Sequence, residues 1–303
     1  MAIDLSERRI EHDRSSREAF VSSRLQRRPE FAESMDLTRF MHGGPARLLK
    51  CPACGLLVRD EREPGNYETD LYDSALLSHL YPRYVRAFDD KRSQYLPVLR
   101  NNAEVLELGS HLGAFLETAE EWGWRPTGLD IGESACAFAR RQGVSVKRLG
   151  LEDYSPKLRK PEAIFIWNCF EQLEDPSRTL RQSYRMLDKH GLLLVRVPNA
   201  DFYREQRWRL CTLHSQAALN LLGYNNLLGF PYRHGYSPAT LDRLLRVHRF
   251  EPVAAHDSGV IEPPYPQMST QICDEWQETR QESERPRTTG GPWIEILCRK
   301  RLS

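Results

Sequence analysis

Apolar and polar positions alternate along the middle of the chain in two rhythms. Short apolar runs at 103–108, 126–130, 144–149, 162–168 and 191–197 read as strands, and the stretches 113–122, 133–142 and 176–189 carry apolar residues at helical spacing. Runs such as Ile164-Phe165-Ile166-Trp167 and Leu192-Leu193-Leu194-Val195 have no polar alternate, as expected of strands covered on both faces. Such strands, interleaved with helices, predict an α/β fold with a doubly wound, mostly parallel sheet. The helix at 176–189 has well-marked ends. Asp175 can cap its first turn, Pro176 suits the first helical position, and Gly191 follows the last. Ser237-Pro238 opens another helix running to about His248. Strands near 250–257 and over Trp293–Arg299 complete a seven-stranded sheet.

Around this core the pattern weakens. Residues 1–45 are charged and weakly periodic, an N-terminal extension. Residues 46–62 form a knuckle hairpin, Cys51-Pro52-Ala53-Cys54 between two apolar runs, and 63–100 read as a helical lead-in with Val85, Phe88, Tyr95 and Leu99 turned to a core. The domain proper spans 101–303. Within it, 201–235 is expected to be an inserted lid, and the Pro-, Glu- and Gln-rich stretch 261–291 a mobile excursion.

Charge and cysteine usage narrow the classes. A net charge of +1 gives no general attraction to nucleic acid, although Arg204, Arg207 and Arg209 leave room for a local basic patch. No apolar run reaches the ~20 residues needed to span a bilayer. Seven cysteines, five of them scattered, fit reduced thiols in a cytoplasmic protein better than a disulfide framework. Cys51 and Cys54 supply half of a tetrahedral zinc site; His42 is the nearest upstream candidate, so only a partial site is expected and zinc is disfavoured.

The chemistry concentrates in Val105-Leu-Glu107-Leu-Gly109-Ser-His111-Leu-Gly113-Ala-Phe-Leu116, a strand, a glycine-bearing turn and a helix start. A second run, Thr127-Gly-Leu-Asp130, also ends in an acid. A dinucleotide fingerprint from Gly109 needs glycines at 111 and 114, where the chain has His111 and Ala114. Glu-x-Gly-x-x-x-Gly fits instead, with Gly109 and Gly113 leaving room for an adenosine ligand without phosphates. The plainer readings are turn glycines, a helix-capping Asp130, and a His111 turned to solvent.

Five segments in order carry a family resemblance: 105–116, Gly123–Asp130, Asn168-Cys-Phe-Glu171-Gln172-Leu-Glu-Asp-Pro176, Leu187–Asn199, and Tyr236–Leu241. Residues 103–200, and more loosely 46–257, resemble the class I S-adenosylmethionine-dependent methyltransferases, in the branch of the ubiquinone-biosynthesis O-methyltransferases. The resemblance implies a Rossmann-like methyltransferase fold and S-adenosylmethionine as methyl donor to a small-molecule acceptor with an O, N or C nucleophile. It also implies roles for residues. Glu107 would pair with the cofactor's ammonium, and Gly109, His111 and Gly113 would border its methionine portion. Asp130 would accept from the ribose hydroxyls, Glu152 (or its neighbour Asp153) would contact adenine, and Asn168 would border the sulfonium through its backbone or amide. Candidate bases are Glu171 and His234, with His214 a weaker third. The family's frequent Glu-His pair reads Glu171-Gln172 here, and Gln172 cannot take a proton. A non-catalytic binder and, less favoured, a nicotinamide-dependent oxidoreductase are the alternatives. Trp208, Tyr224, Asn225, Tyr232 and Tyr236 are expected to shape an acceptor pocket.

Overall fold

The structure is a computed structural model that describes residues 47–60, 74–156, 159–213, 233–258, 291 and 293–302. His42, His214, Tyr224, Asn225, Tyr232 and most of the 261–291 stretch lie outside them. The chain divides into two compact units, one of 67–197, 242–256 and 295–303, the other of 1–66, 198–241 and 257–294.

The first unit is built on the expected sheet. Its helical lead-in consists of α1 (Ser74–Asp89), which accommodates Pro82, and the short α2 (Arg92–Tyr95). Then come β3 (Glu104–Leu108), α3 (Ala114–Glu121), β4 (Arg125–Asp130), α4 (Glu133–Arg141), β5 (Val146–Arg148) and β6 (Ala163–Trp167). α5 (Pro176–Met186), β7 (Leu192–Pro198), α7 (Pro238–Val247), β9 (Phe250–Ser258) and β10 (Trp293–Lys300) complete it, some of them crossing the unit boundary. The strand order is β5-β4-β3-β6-β7-β10-β9, with parallel pairing from β5 through β7. Lys300 N donates to Gly191 O and Arg301 N to Arg249 O, each at 2.9 Å. The end of β10 therefore lies beside the starts of β7 and β9, and β10 runs against them. As predicted, Asp175 caps α5, its carboxylate accepting from Arg178 N at 2.8 Å.

Side-chain alternation explains the layering. On β6, Phe165 and Trp167 share one face and Ile164 and Ile166 the other, all buried. Phe165 and Trp167 meet Phe115 of α3 at ring-centroid separations of 4.7 and 5.5 Å, and Trp167 meets Phe88 and Tyr95 at 5.3 and 5.7 Å. Those edge-on and tilted contacts fasten α1–α3 to one face of the sheet.

The second unit holds the knuckle. β1 (Arg47–Lys50) and β2 (Leu57–Asp60) pair antiparallel, and β8 (His234–Gly235) adds a third strand with Val58 opposite His234. The turn between β1 and β2 is closed by Cys51 N to Leu56 O (2.9 Å) and Gly55 N to Cys51 O (2.8 Å), and Thr240 Oγ1 donates to Cys54 O at 3.1 Å. Cys51 and Cys54 are half-buried and in no disulfide, and among the described residues no three His, Cys, Asp or Glu gather as a metal site. The start of the expected lid is a regular helix, α6 (Ala200–Leu213). Its mixed Arg, Trp and Leu content hid the helical period from the sequence. Asn199 caps it by accepting from Asp201 N at 3.0 Å. Arg204 pairs with Asp201, and the buried Arg209 with Glu205. No helix among the described residues is long and apolar enough to cross a membrane.

Candidate functional site

Strand order decides where a ligand can sit. β3 has β4, its successor through α3, on one side and the later β6 on the other, so the chain leaves the carboxyl ends of β3 and β6 in opposite directions. A crevice opens at such a switch point. Glu107 lies near the end of β3 and the loop 109–113 follows it, Asp130 ends β4, and Asn168-Cys169-Phe170-Glu171 follows β6.

The loop is held from within. Gly109 N and Ser110 N both donate to Leu129 O (2.8 and 3.0 Å), His111 N to Asp130 Oδ2 (2.7 Å), and Gly113 N to Ser110 O (2.8 Å). A phosphate-binding loop keeps such N–H groups free for its ligand. Here four are already used, which is a stronger argument against a pyrophosphate than the missing glycines.

Both loop glycines have positive φ, +73° at Gly109 and +78° at Gly113. A Cβ at Gly109 would lie 2.7 Å from Cys169 Cβ and Sγ, and one at Gly113 2.5 Å from Val144 Cγ2. The side on which a side chain would stand is thus filled by protein, and only the opposite faces remain for a ligand. His111 adopts φ +45°, a strained conformation that costs a bulky residue roughly 1–2 kcal/mol. Its ring is not turned to solvent: it is half-buried and meets Tyr84 edge-on, with centroids 6.4 Å apart. Burial holds its imidazole below the ordinary value, against the pull of Asp130.

The acids fall into distinct environments. Asp130 spends one lone pair of each oxygen on main-chain donors, Oδ2 on His111 N and Oδ1 on Gly132 N (2.8 Å). Each oxygen has a second lone pair, so the side chain caps the turn and still has two acceptors to offer. Glu107 is 3% exposed and its Oε2 is buried without a hydrogen-bond partner. Burial first, and then the charge of Asp130, push its carboxyl well above the usual range. Glu171, on a 3-10 turn over Phe170–Gln172, is fully buried with neither oxygen in a full hydrogen bond. Burial pushes it up to about 8, although its own main chain, Arg196 and Gln172 lie close enough to favour the charged form. Cys169 is central to the group. Burial raises its thiol, and Glu171, Asp130 and Glu107 each raise it further. The crevice is therefore an acidic well, matched to a cation.

Asn168 also has a left-handed backbone, φ +49°. Glu152 is exposed on a 3-10 turn over Leu151–Asp153, its carboxylate folded back over Gly150. His234 belongs to the other unit, in β8. The structure thus brings Glu107, Gly109, His111, Gly113, Asp130, Asn168 and Glu171 around one crevice of the sheet. Sequence reasoning passed over two residues behind it, Arg196 and Glu295. Arg196 is the lone charge of β7 and Glu295 interrupts the apolar first part of β10, a visible signal, and both are completely buried.

Known proteins agree with this architecture. Residues 78–255, more than half the chain, match the family model described as a methyltransferase domain. The ubiquinone biosynthesis O-methyltransferase of Pseudomonas savastanoi pv. phaseolicola is 30% identical over 128 residues, 39% of this chain and 53% of that protein. The enzyme of the same name from Pseudomonas entomophila is 30% identical over 32% of this chain and 44% of its own. The chain spans about half the length of the curated relatives it matches. A SAM-dependent methyltransferase structure from Archaeoglobus fulgidus covers 75% of this chain and all of its own, with a TM-score of 0.51 at 17% identity, a likeness of fold.

Proposed function

The chain belongs to the methyltransferase-domain family, and from that premise we propose that it binds S-adenosylmethionine in the β3/β6 crevice and transfers its methyl group to a small-molecule acceptor. The observation that carries this reading is the unpartnered, buried Glu107 Oε2 in a well of three carboxylates. A buried acid with no partner is costly unless a ligand completes it, and an ammonium is the fitting complement. The cofactor supplies an activated methyl group on a sulfonium. Glu107 would face its ammonium, and the two free acceptor sites of Asp130 would take the paired ribose hydroxyls. Gly109, His111 and Gly113 would border the amino-acid portion, and Glu152 would lie on the adenine side. The protein's contribution is chiefly alignment, with removal of a proton where the acceptor needs it.

Glu171 is the base we favour. It lies four residues past the end of β6, and a carboxyl held near pH 8 is a competent proton acceptor close to neutrality. The names of the curated relatives support an oxygen nucleophile.

Calorimetric titration of the wild type and Asp130→Ala tests the reading. S-adenosylmethionine and S-adenosylhomocysteine should bind the wild type with micromolar-range affinity, and the variant should lose about tenfold or more, the worth of one to two hydrogen bonds. Equal binding by both proteins, or tight binding of NADH, would sink it.

A further inference from the structure

Arg196 of β7 and Glu295 of β10 are both 0% exposed and face each other, with Arg196 Nε 3.2 Å from Glu295 Oε1. Glu295 also accepts from Lys91 Nζ and from Tyr95 OH, each at 2.5 Å. Burying this many charged groups costs several kcal/mol per ion before pairing returns it, so an arrangement of this kind calls for a reason beyond stability. The reason is found at the far end of the guanidinium. Arg196 Nη1 donates to Asn168 Oδ1, in the crevice.

A carboxamide has one accepting side and one donating side, and a guanidinium only donates. Pairing with Arg196 therefore turns Oδ1 toward β7 and the NH2 group away from it. The rest of Asn168 is engaged as well. Its N donates to Arg196 O at 3.1 Å, and its O accepts from Gln172 Nε2 at 2.8 Å. Nδ2 donates to no described residue, and Asn168 is half-buried at the mouth of the crevice. Glu171, Asp130 and Glu107 lie near enough to the neighbouring Cys169 to raise its thiol, and four loop N–H groups are committed to Leu129, Asp130 and Ser110. An anionic ligand group entering this well needs a donor, and Asn168 Nδ2 is a side-chain donor the crevice still has to offer.

We propose that Arg196, backed by Glu295, is a positioning residue that turns the Asn168 carboxamide so that Nδ2 receives the α-carboxylate of the cofactor's amino-acid tail. This rests on the cofactor reading above. It assigns the two ends of the tail to different strands, the ammonium to Glu107 near the end of β3 and the carboxylate to Asn168 just after β6. It also gives Gln172 a task that needs no proton transfer, bracing the Asn168 carbonyl.

The test is calorimetric titration of the full chain with S-adenosylhomocysteine and with 5′-methylthioadenosine, the same thioether nucleoside without the amino-acid tail. Asn168→Asp keeps the shape and a partner for Arg196 but removes the donor. It should weaken S-adenosylhomocysteine about tenfold or more, through lost hydrogen bonding and added repulsion, and leave 5′-methylthioadenosine within about twofold. Arg196→Lys keeps the charge but not the fork, and should give a smaller loss confined to the same ligand. Unchanged or tighter S-adenosylhomocysteine binding by Asn168→Asp would overturn the assignment, tighter binding meaning that the side chain meets the ammonium. Equal losses for both ligands would overturn it too, by showing general damage to the crevice. A tail-specific loss in Asn168→Asp with none in Arg196→Lys would remove Arg196 from the account. If the wild type bound neither nucleoside, the cofactor reading itself would fall, and the inference with it.

Discussion

Two regions of the sheet bury carboxylates and treat them in opposite ways. Between β7 and β10, Glu295 is surrounded by Lys91, Tyr95 and Arg196, and both its oxygens are satisfied. At the carboxyl ends of β3 and β6, Glu107 and Glu171 are as deeply buried, yet Glu107 Oε2 and both Glu171 oxygens have no hydrogen-bond partner. Burial alone does not mark a site. What separates the regions is whether the protein completes the acid itself or leaves that to something else.

The largest expected effect comes from breaking the completed region. Glu295→Ala leaves Arg196 and Lys91 without their shared counter-charge and should cost ~3–5 kcal/mol, read as a lowered denaturation midpoint. A loss under ~1 kcal/mol would mean that the cluster is solvated and the contrast with the crevice is false.

The crevice should respond with the opposite sign. The folded chain holds the Glu171 proton up to about pH 8, whereas an unfolded chain loses it near 4.5. The stability this residue contributes is therefore fully present below about pH 4.5 and lost as pH rises through about 8. Glu171→Gln should flatten the fall in stability between pH 5 and 9 by an amount on the order of a few kcal/mol, and be the more stable protein at pH 9. Identical pH profiles for the two proteins would show that Glu171 ionises freely in the folded state, against the contrast drawn here.

An exposed pair sets the lower end of the scale. Arg148 and Glu133 meet at 2.8 Å with both side chains largely in water. Glu133→Ala should change stability by less than ~0.5 kcal/mol, and a larger loss would mean that solvent exposure is not what divides these ion pairs.

These differences explain what the sequence could and could not disclose. The sheet was legible because each strand is a local apolar run and each helix a local period. The loop was legible through Glu107, Gly109, Gly113 and Asp130, whose spacing is also local. The glycines' task was only half visible: their positive φ follows from the turn, but Cys169 and Val144, which fill the space beside them, come from elsewhere in the chain. Arg196 and Glu295 lie far apart in sequence, and only the placement of β10 next to β7 makes them partners. The two-residue β8 is too short to leave a pattern, and the plain helix α6 lacks a clear apolar stripe. Non-local pairing hid the first group, and a weak local pattern hid β8 and α6.

If the proposed cofactor binds, its ammonium completes Glu107. Burial, and then the charge of Asp130, hold the Glu107 carboxyl well above the usual range, and a cation seated beside it favours loss of its proton. Titration of S-adenosylmethionine at pH 6, in buffers of different ionisation enthalpy, measures that proton directly. Binding should come with net proton release, and Glu107→Gln should bind more weakly and release correspondingly less. Binding with the same proton exchange in both proteins, or with none in the wild type, would contradict it.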